Sequence, residues 1–451
     1  MGKYFGTDGF RGEANVSLKV TDAFEVGRFL GWYYGKKHPG VRCRIVIGKD
    51  TRRSSYMFED ALSSGITASG ADVYLMHVTT TPSVSYIARV DEFDCGVMIS
   101  ASHNPYYDNG IKVINGNGEK LDDETIACIE AYLDGQLGQI PLAARDAIGR
   151  TVDYAAGRNR YIGYLISIAK KSFRNKHVAL DCANGSASSI AKPVFDALGA
   201  HTHVIANEPN GTNINDECGS THIQRLQQFV ISEGCDLGFA YDGDADRCLA
   251  VDENGQVING DQIMYICGKR MKEAGKLKDD VIVATVMSNL GFFRALDREG
   301  IRYEKTKVGD RFVYENMAEN GYSLGGEQSG HIIFAKNATT GDGILTSLKL
   351  MDAVLECKMP LSKLAAECPM FPQCLKNVRV SDKKTAVENK AVQEAVKKAE
   401  AELGESGRVL LRESGTEPLI RVMAEARTAE ECEQKVDDII EVMKREGLVQ
   451  G

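Results

Sequence analysis

The chain has 451 residues, 43% of them apolar and 26% charged, with a formal net charge of −9. Such a length sets a prior of roughly three domains with a sizeable core, and the acidic balance argues against nucleic acid or an anionic membrane surface as the main partner. No apolar run is long enough to span a bilayer, the opening MGKYFGTDGFRGEANVS lacks the apolar stretch of a signal peptide, and twelve scattered cysteines with no C-x-x-C pair read as reduced thiols, so a cytoplasmic location is expected.

Along the chain one pattern recurs three times: apolar strand, turn, helix, glycine, second strand. The copies run from Arg44 to Met76, from His177 to Ile205 and from Asp280 to Val308. Each has the size of a βαβ unit, which favours parallel pairing with helices on the sheet faces. After the first copy, Val97-Met98-Ile99 reads as a buried strand ending in the loop formers Ser100, Ser102, His103, Asn104 and Pro105, with Asn109-Gly110 as a turn signal. Ser102 thus sits beyond the carboxyl end of a strand, where open α/β sheets place ligands. After the second copy, the apolar run Leu237 to Ala240 leads into YDGDADR, residues 241–247. After the third comes GGEQSGH, residues 325–331. From about Phe371 the pattern changes to strand, helix, two strands around RESGTEPLIR (residues 412–421), and a last helix opened by the capping pair Thr428 and Glu431 and striped by Val436, Ile439, Ile440 and Met443. The expected architecture is three similar α/β domains and a smaller α+β C-terminal domain around a central cleft, divided as 1–155, 156–255, 256–370 and 371–451.

Four loops carry the chemistry. Asp242, Asp244 and Asp246 alternate, so in an extended loop they share a face. Three such carboxylates repel unless a cation sits among them, and hard oxygen ligands point to magnesium or calcium. An EF-hand is excluded because Arg247 takes its required glycine position and CLAVD continues as a strand. The Asp-x-Asp-x-Thr phosphatase loop has Asp246 where its threonine should be; a solvated acidic turn is the plainer alternative. Glu327, Ser329 and His331 alternate too, and suit sugar hydroxyls or merely a glycine-rich turn. Arg412, Ser414, Gly415, Thr416 and Arg421 could surround an anion, arginine matching phosphate with a bidentate fork, or could decorate a hairpin. Together the loops describe phosphoryl transfer on a phosphosugar.

SASHNP, DGDADR, GEQSGH and RESGTEP, in that order, resemble the phosphoserine, metal, sugar and phosphate loops of the α-D-phosphohexomutase superfamily over essentially the whole chain. YFGTDGFRG, GTNINDECGSTH and GGEQSGH are similar to the forms typical of its bacterial subgroup that interconverts glucosamine 6-phosphate and glucosamine 1-phosphate. The resemblance implies a phosphoserine at Ser102 and one Mg²⁺ on Asp242, Asp244 and Asp246, with the serine phosphate as a further ligand. It implies a 1,6-bisphosphate intermediate, with glucosamine or glucose 1,6-bisphosphate as activator. Arg11 and Lys112 would lie beside Ser102, Lys112 or His331 would handle the hydroxyl proton, and Arg247, Glu327, Ser329 and the fourth loop would hold ligand. His103 and Asn104 would shape the serine loop. The partner is then a small phosphosugar, in a monomer or a homodimer. A sister mutase for mannose or glucose phosphates, a metal-dependent sugar phosphatase and a non-catalytic sugar-phosphate sensor stand as alternatives.

Overall fold

The computed structural model describes residues 2–6, 9–414 and 419–450. Two compact units emerge. One comprises Met1–Met287 with Ile301–Ala366, the other Ser288–Gly300 with Glu367–Gly451. Among the described residues no helix is long and apolar enough to cross a membrane.

The first unit contains three sheets built to one plan. In the first, strand Arg44–Lys49 pairs in parallel with Asp72–Val78 on one side and Cys95–Ile99 on the other, and Asp108–Asn115 returns antiparallel to Cys95–Ile99. The second repeats this with His177–Asp181, His201–Ile205, Leu237–Tyr241 and the returning Cys248–Asp252. The third repeats it with Val281–Thr285, Arg302–Thr306, Leu324–Gly326 and Ile332–Phe334. Flanking strands extend the first sheet to seven strands and the second to five. Cys95–Ile99, Leu237–Tyr241 and Val281–Thr285 are buried at every position, as continuous apolar runs covered on both faces should be. In each sheet the loop singled out by its chemistry is the connection from a buried strand to its antiparallel return.

One local expectation fails. Asn109-Gly110 is not a turn but part of the return strand Asp108–Asn115. The Asn109 amide is buried and donates to the Ser54 and Ser55 hydroxyls at 2.8 and 3.0 Å. Gly110 lets the strand pass close to the serine loop, since a Cβ there would meet the Ser100 carbonyl at 2.5 Å. Tertiary partners thus override a turn-forming dipeptide, and the reversal occurs within residues 100–107.

The second unit holds an antiparallel sheet in the order Gln373–Arg379, Leu419–Glu425, Arg408–Glu413, with the helices Lys390–Leu403 and Ala429–Arg445 supplying apolar faces to its core. Thr428 caps the last helix by accepting the Glu431 N–H at 3.2 Å. Val436, Ile439 and Met443 are buried in that core, with Ile440 packed at its margin. Helix Leu290–Arg298, the crossover of the third βαβ copy, belongs to this unit. Its first N–H is accepted by the buried Glu425, which also pairs with Arg408 at 2.8 Å.

Candidate active site

Ser102 follows the strand Cys95–Ile99 and is 1% exposed. Its backbone adopts φ +53°, the left-handed region that a serine enters only when its surroundings impose it. The surroundings are explicit. Its N–H donates to the Ser100 hydroxyl at 2.9 Å, and its carbonyl accepts from Arg52 Nη2 at 2.8 Å and from Asn215 Nδ2 at 2.9 Å. The Arg52 guanidinium is completely buried and also donates to the carbonyls of Asn104 and Pro105. Asp50, paired with Arg52 at 2.8 Å, accepts the Ser55 and Ser100 hydroxyls. This scaffold fixes the direction of the Ser102 side chain, whose hydroxyl donates to Asp242 Oδ2 at 2.5 Å and lies 3.2 Å from His103 Nδ1. Asn104 reaches Asp108 at 2.9 Å instead.

The aspartate loop, residues 242–247, joins Leu237–Tyr241 to Cys248–Asp252. Gly243 is required by proximity: a Cβ there would meet the Ser102 carbonyl at 2.5 Å. All three aspartates are buried, and one ligand atom from each lies within 4.8 Å of the others. Asp242 Oδ1 accepts the Arg247 N–H at 3.1 Å. Asp244 Oδ2 accepts the Thr81 hydroxyl at 2.5 Å and the Lys112 ammonium at 2.7 Å, and Lys112 also reaches Asp246 Oδ2 at 3.3 Å. Burial pushes the Asp242 carboxyl well above the ordinary carboxylate range; Asp246 and Asp244 push the same way, while Arg247 and the Ser102 hydroxyl oppose. Asp246 Oδ1 is buried with no hydrogen-bond partner among the described residues. Three hard oxygen donors, mutual repulsion and an unsatisfied carboxylate oxygen fit a divalent cation of the magnesium class.

Arg11 is the register partner of Gly110, two residues before Lys112 on the same strand, so Arg11 and Lys112 share a sheet face. His331 behaves differently. It is 3% exposed, and its Nε2 faces the Gly341 N–H at 3.2 Å and Asp310 at 3.3 Å rather than the serine or the aspartates. Glu327 is half-buried and accepts the Gly309 N–H at 3.1 Å, while Ser329 is exposed. The three side chains thus differ in burial and in partners. A backbone bridge between Arg247 and His331 nevertheless ties this loop to the aspartate loop.

In the second unit, Arg412 and Arg421 stand directly opposite on neighbouring antiparallel strands. Like charges so placed destabilise a sheet unless an anion joins them. Ser414 is buried, and its carbonyl accepts from Lys383 at 2.7 Å, adding a third cation at this hairpin. Gly415 and Thr416 lie outside the described residues. Sequence reasoning missed Arg52, Asn215, Thr81 and Lys383. Only Asn215 carried a signal, as part of GTNINDECGSTH.

Four phosphoglucomutase/phosphomannomutase domain families match in order: alpha/beta/alpha domain I over residues 2–137, domain II over 159–255, domain III over 259–371 and the C-terminal domain over 375–442. A phosphoglucosamine mutase of Lachnospira eligens is 63% identical over 447 residues, 99% of each chain. One of Lachnoclostridium phytofermentans is 61% identical over 451 residues, 100% of each. Among solved structures, a phosphoglucomutase/phosphomannomutase family protein of Burkholderia thailandensis superposes with a TM-score of 0.80 at 22% identity, covering 98% of this chain and 97% of its own. Aspergillus fumigatus N-acetylphosphoglucosamine mutase, solved with GlcNAc-6P and magnesium, gives 0.72 at 19% identity, covering 98% and 96%. Matched from residue 2 to residue 442 by one family's successive domains, and by relatives above 60% identity end to end, the chain belongs to the phosphoglucomutase/phosphomannomutase family of α-D-phosphohexomutases.

Proposed function

We propose that the protein is a phosphoglucosamine mutase, an isomerase that interconverts glucosamine 6-phosphate and glucosamine 1-phosphate in the cytoplasm. The observation that carries the reading is the Ser102 hydroxyl held 2.5 Å from Asp242 within a buried three-carboxylate cluster. The relatives' names support the substrate. Four domains, 1–155, 156–255, 256–370 and 371–451, each contribute one loop.

Ser102 Oγ carries a phosphate in the active protein. The Oγ–P bond breaks as the sugar 1-hydroxyl forms its own O–P bond, giving a 1,6-bisphosphate; the hydroxyl proton passes to a base, and the departing Ser102 Oγ takes up a proton to become a hydroxyl again. Lys112 and His331 are the two candidates for that base; Lys112, whose ammonium donates to Asp244 and Asp246 at 2.7 and 3.3 Å, would have to give up its proton before it could accept one. After the bisphosphate turns end for end, Ser102 recovers a phosphate from the 6-position. Asp242, Asp244 and Asp246 would hold Mg²⁺, which when bound offsets the negative charge of the transferring group. Arg412, Ser414 and Arg421, with Gly415 and Thr416, grip the phosphate that is not reacting. Glu327 and Ser329 meet the sugar hydroxyls in either orientation, and Arg11 and Arg247 add positive charge.

A coupled mutase assay on glucosamine, mannose and glucose phosphates with a trace of 1,6-bisphosphate tests this. Fastest turnover is expected on glucosamine phosphate, with phosphate found on Ser102 by intact-mass and phosphopeptide analysis and turnover lost in Ser102→Ala. Inorganic phosphate as the chief product would install the phosphatase reading instead.

A further inference from the structure

Away from the catalytic loops, the first unit contains a cavity of about 530 Å³ with a basic wall. Lys170, Arg270, Lys276, Lys336 and Lys349 line it, against only two carboxylates, Asp352 and Glu356. This surplus of positive charge is conspicuous in a chain whose net charge is −9. The carboxylates are already engaged. Both oxygens of Asp352 accept the Lys170 N–H, at 3.0 and 3.3 Å, and Glu356 pairs with the Lys170 ammonium at 2.9 Å. Arg270 pairs with Glu273 at 2.6 Å. For Lys276, Lys336 and Lys349 there is no ion pair to any described carboxylate. Lys349 is the telling one: it is half-buried, burial holds its ammonium below the ordinary lysine range, and Lys170 and Lys336 add repulsion that Asp352 opposes. Ile168, Met271, Phe334 and Ala353 add an apolar part to the wall, with Ser323 and Asn337 as its neutral polar members.

We propose that this cavity is a second anion site, which takes a small diphosphate-bearing molecule with its phosphates on the lysines and its apolar body against Met271 and Phe334. The volume falls in the range of small-molecule sites, roughly 300–1,000 Å³. Its separation from the catalytic loops follows from the elements that build it. Helix Gly260–Glu273 starts where the Gly260 N–H meets the Gln328 carbonyl, and helix Gly343–Cys357 where the Gly343 N–H meets the Ala245 carbonyl. Arg270 and Lys349 stand about 15 and 9 Å further along these axes, at 1.5 Å per residue.

Binding of ADP and of inorganic pyrophosphate should be followed by titration calorimetry at low and physiological salt. Three variants are compared: Lys276→Glu/Lys336→Glu, Lys349→Met and Arg421→Ala. Lys276 and Lys336 are exposed, so their reversal leaves the core intact, and methionine keeps the buried stem of Lys349 packed. ADP should bind more tightly than pyrophosphate and lose affinity with salt. Its affinity should fall about tenfold or more in the double variant, from roughly two lost charge contacts. It should also fall in Lys349→Met and stay unchanged in Arg421→Ala, which reports on the catalytic phosphate grip. The proposal is overturned if neither probe binds, if the double variant and Lys349→Met bind ADP like the unmutated protein, or if only Arg421→Ala weakens it. Equal affinity for pyrophosphate and ADP would refute the apolar half of the site.

Discussion

Replacing Arg52 with lysine tests whether the serine loop is held in place from behind. The guanidinium is fully buried and spans four acceptors: the Asp50 carboxylate and the carbonyls of Ser102, Asn104 and Pro105. A lysine keeps the charge but replaces a planar fork by a single ammonium, which cannot serve all four. At least one hydrogen bond to a charged group is lost, about 1.5–3 kcal/mol. Asn215 still holds the Ser102 and Asn104 carbonyls, so the loop loosens rather than unfolds. Ser102, no longer forced into φ +53°, can relax toward ordinary backbone geometry. Misplacing a reacting group by about 1 Å can cost on the order of a hundredfold in rate. The expected result is a kcat lower by about ten- to a hundredfold, a KM within about threefold of the unmutated protein, and urea unfolding shifted by roughly 2 kcal/mol. Arg52→Ala, which strands Asp50, should cost about 3–5 kcal/mol. Steady-state kinetics on glucosamine 1-phosphate and equilibrium urea unfolding supply both readings. An Arg52→Lys protein with unchanged kcat and unchanged stability would refute the argument.

Asp244→Asn removes one of three carboxylates and weakens the partner of Lys112, so turnover and Mg²⁺ response should fall together; undiminished turnover in chelator would exclude a catalytic cation. Arg421→Ala or Arg412→Ala should remove a contact of about 1.5–3 kcal/mol and weaken substrate binding roughly ten- to a hundredfold. Either variant should also need more added 1,6-bisphosphate, measured as turnover against bisphosphate concentration. Burial raises the Asp342 carboxyl to about 6 from 3.8, while its bonds from Leu345, Tyr161 and Ile344 oppose. Its ionisation thus costs stability that is absent below pH 3.8, grows through the window up to about 6 and is complete above it. Asp342→Asn, which keeps an N-cap acceptor, should therefore be more stable at pH 7 by up to about 3 kcal/mol, at 1.36 kcal/mol per pH unit. That gain should vanish on acidification, and an equal gain at pH 4 and pH 7 would contradict it.

Elements whose signal is local were legible in the sequence. The buried strands Cys95–Ile99 and Leu237–Tyr241 announce themselves as apolar runs, and three aspartates within five residues announce a site needing positive charge. The residues that orient Ser102 were not legible. Arg52 stands in KDTRRSS, which reads as a solvated helix start, and its burial depends on Asp50 and on carbonyls some fifty residues away. Thr81 meets Asp244 across 163 positions of chain. The alternation of Glu327, Ser329 and His331 says little by itself about direction, because it orders side chains only along an extended strand, and here the chain turns tightly, with the Gly330 N–H bonded to the Glu327 carbonyl. Asn109-Gly110 misled for the opposite reason: a strong local turn preference yields to a buried amide and a close backbone approach.

The threefold reuse of one sheet plan has a consequence for how such a protein can change. Each chemical loop, residues 100–107, 242–247 and 327–331, spans two strands already locked side by side by their own ladder. Substitutions that respect the close approaches, such as that of Gly243 to the Ser102 carbonyl, can therefore accumulate in it without shifting the register of either strand. Transplanting the 327–331 hairpin from a relative of different sugar preference should retune selectivity only if Gly330 and the backbone bridge from His331 to Arg247 are carried over with it, since they tie this hairpin to the aspartate loop. The architecture works as a set of sockets of common shape whose inserts touch one another, so a change in one insert has to be matched where it meets the next.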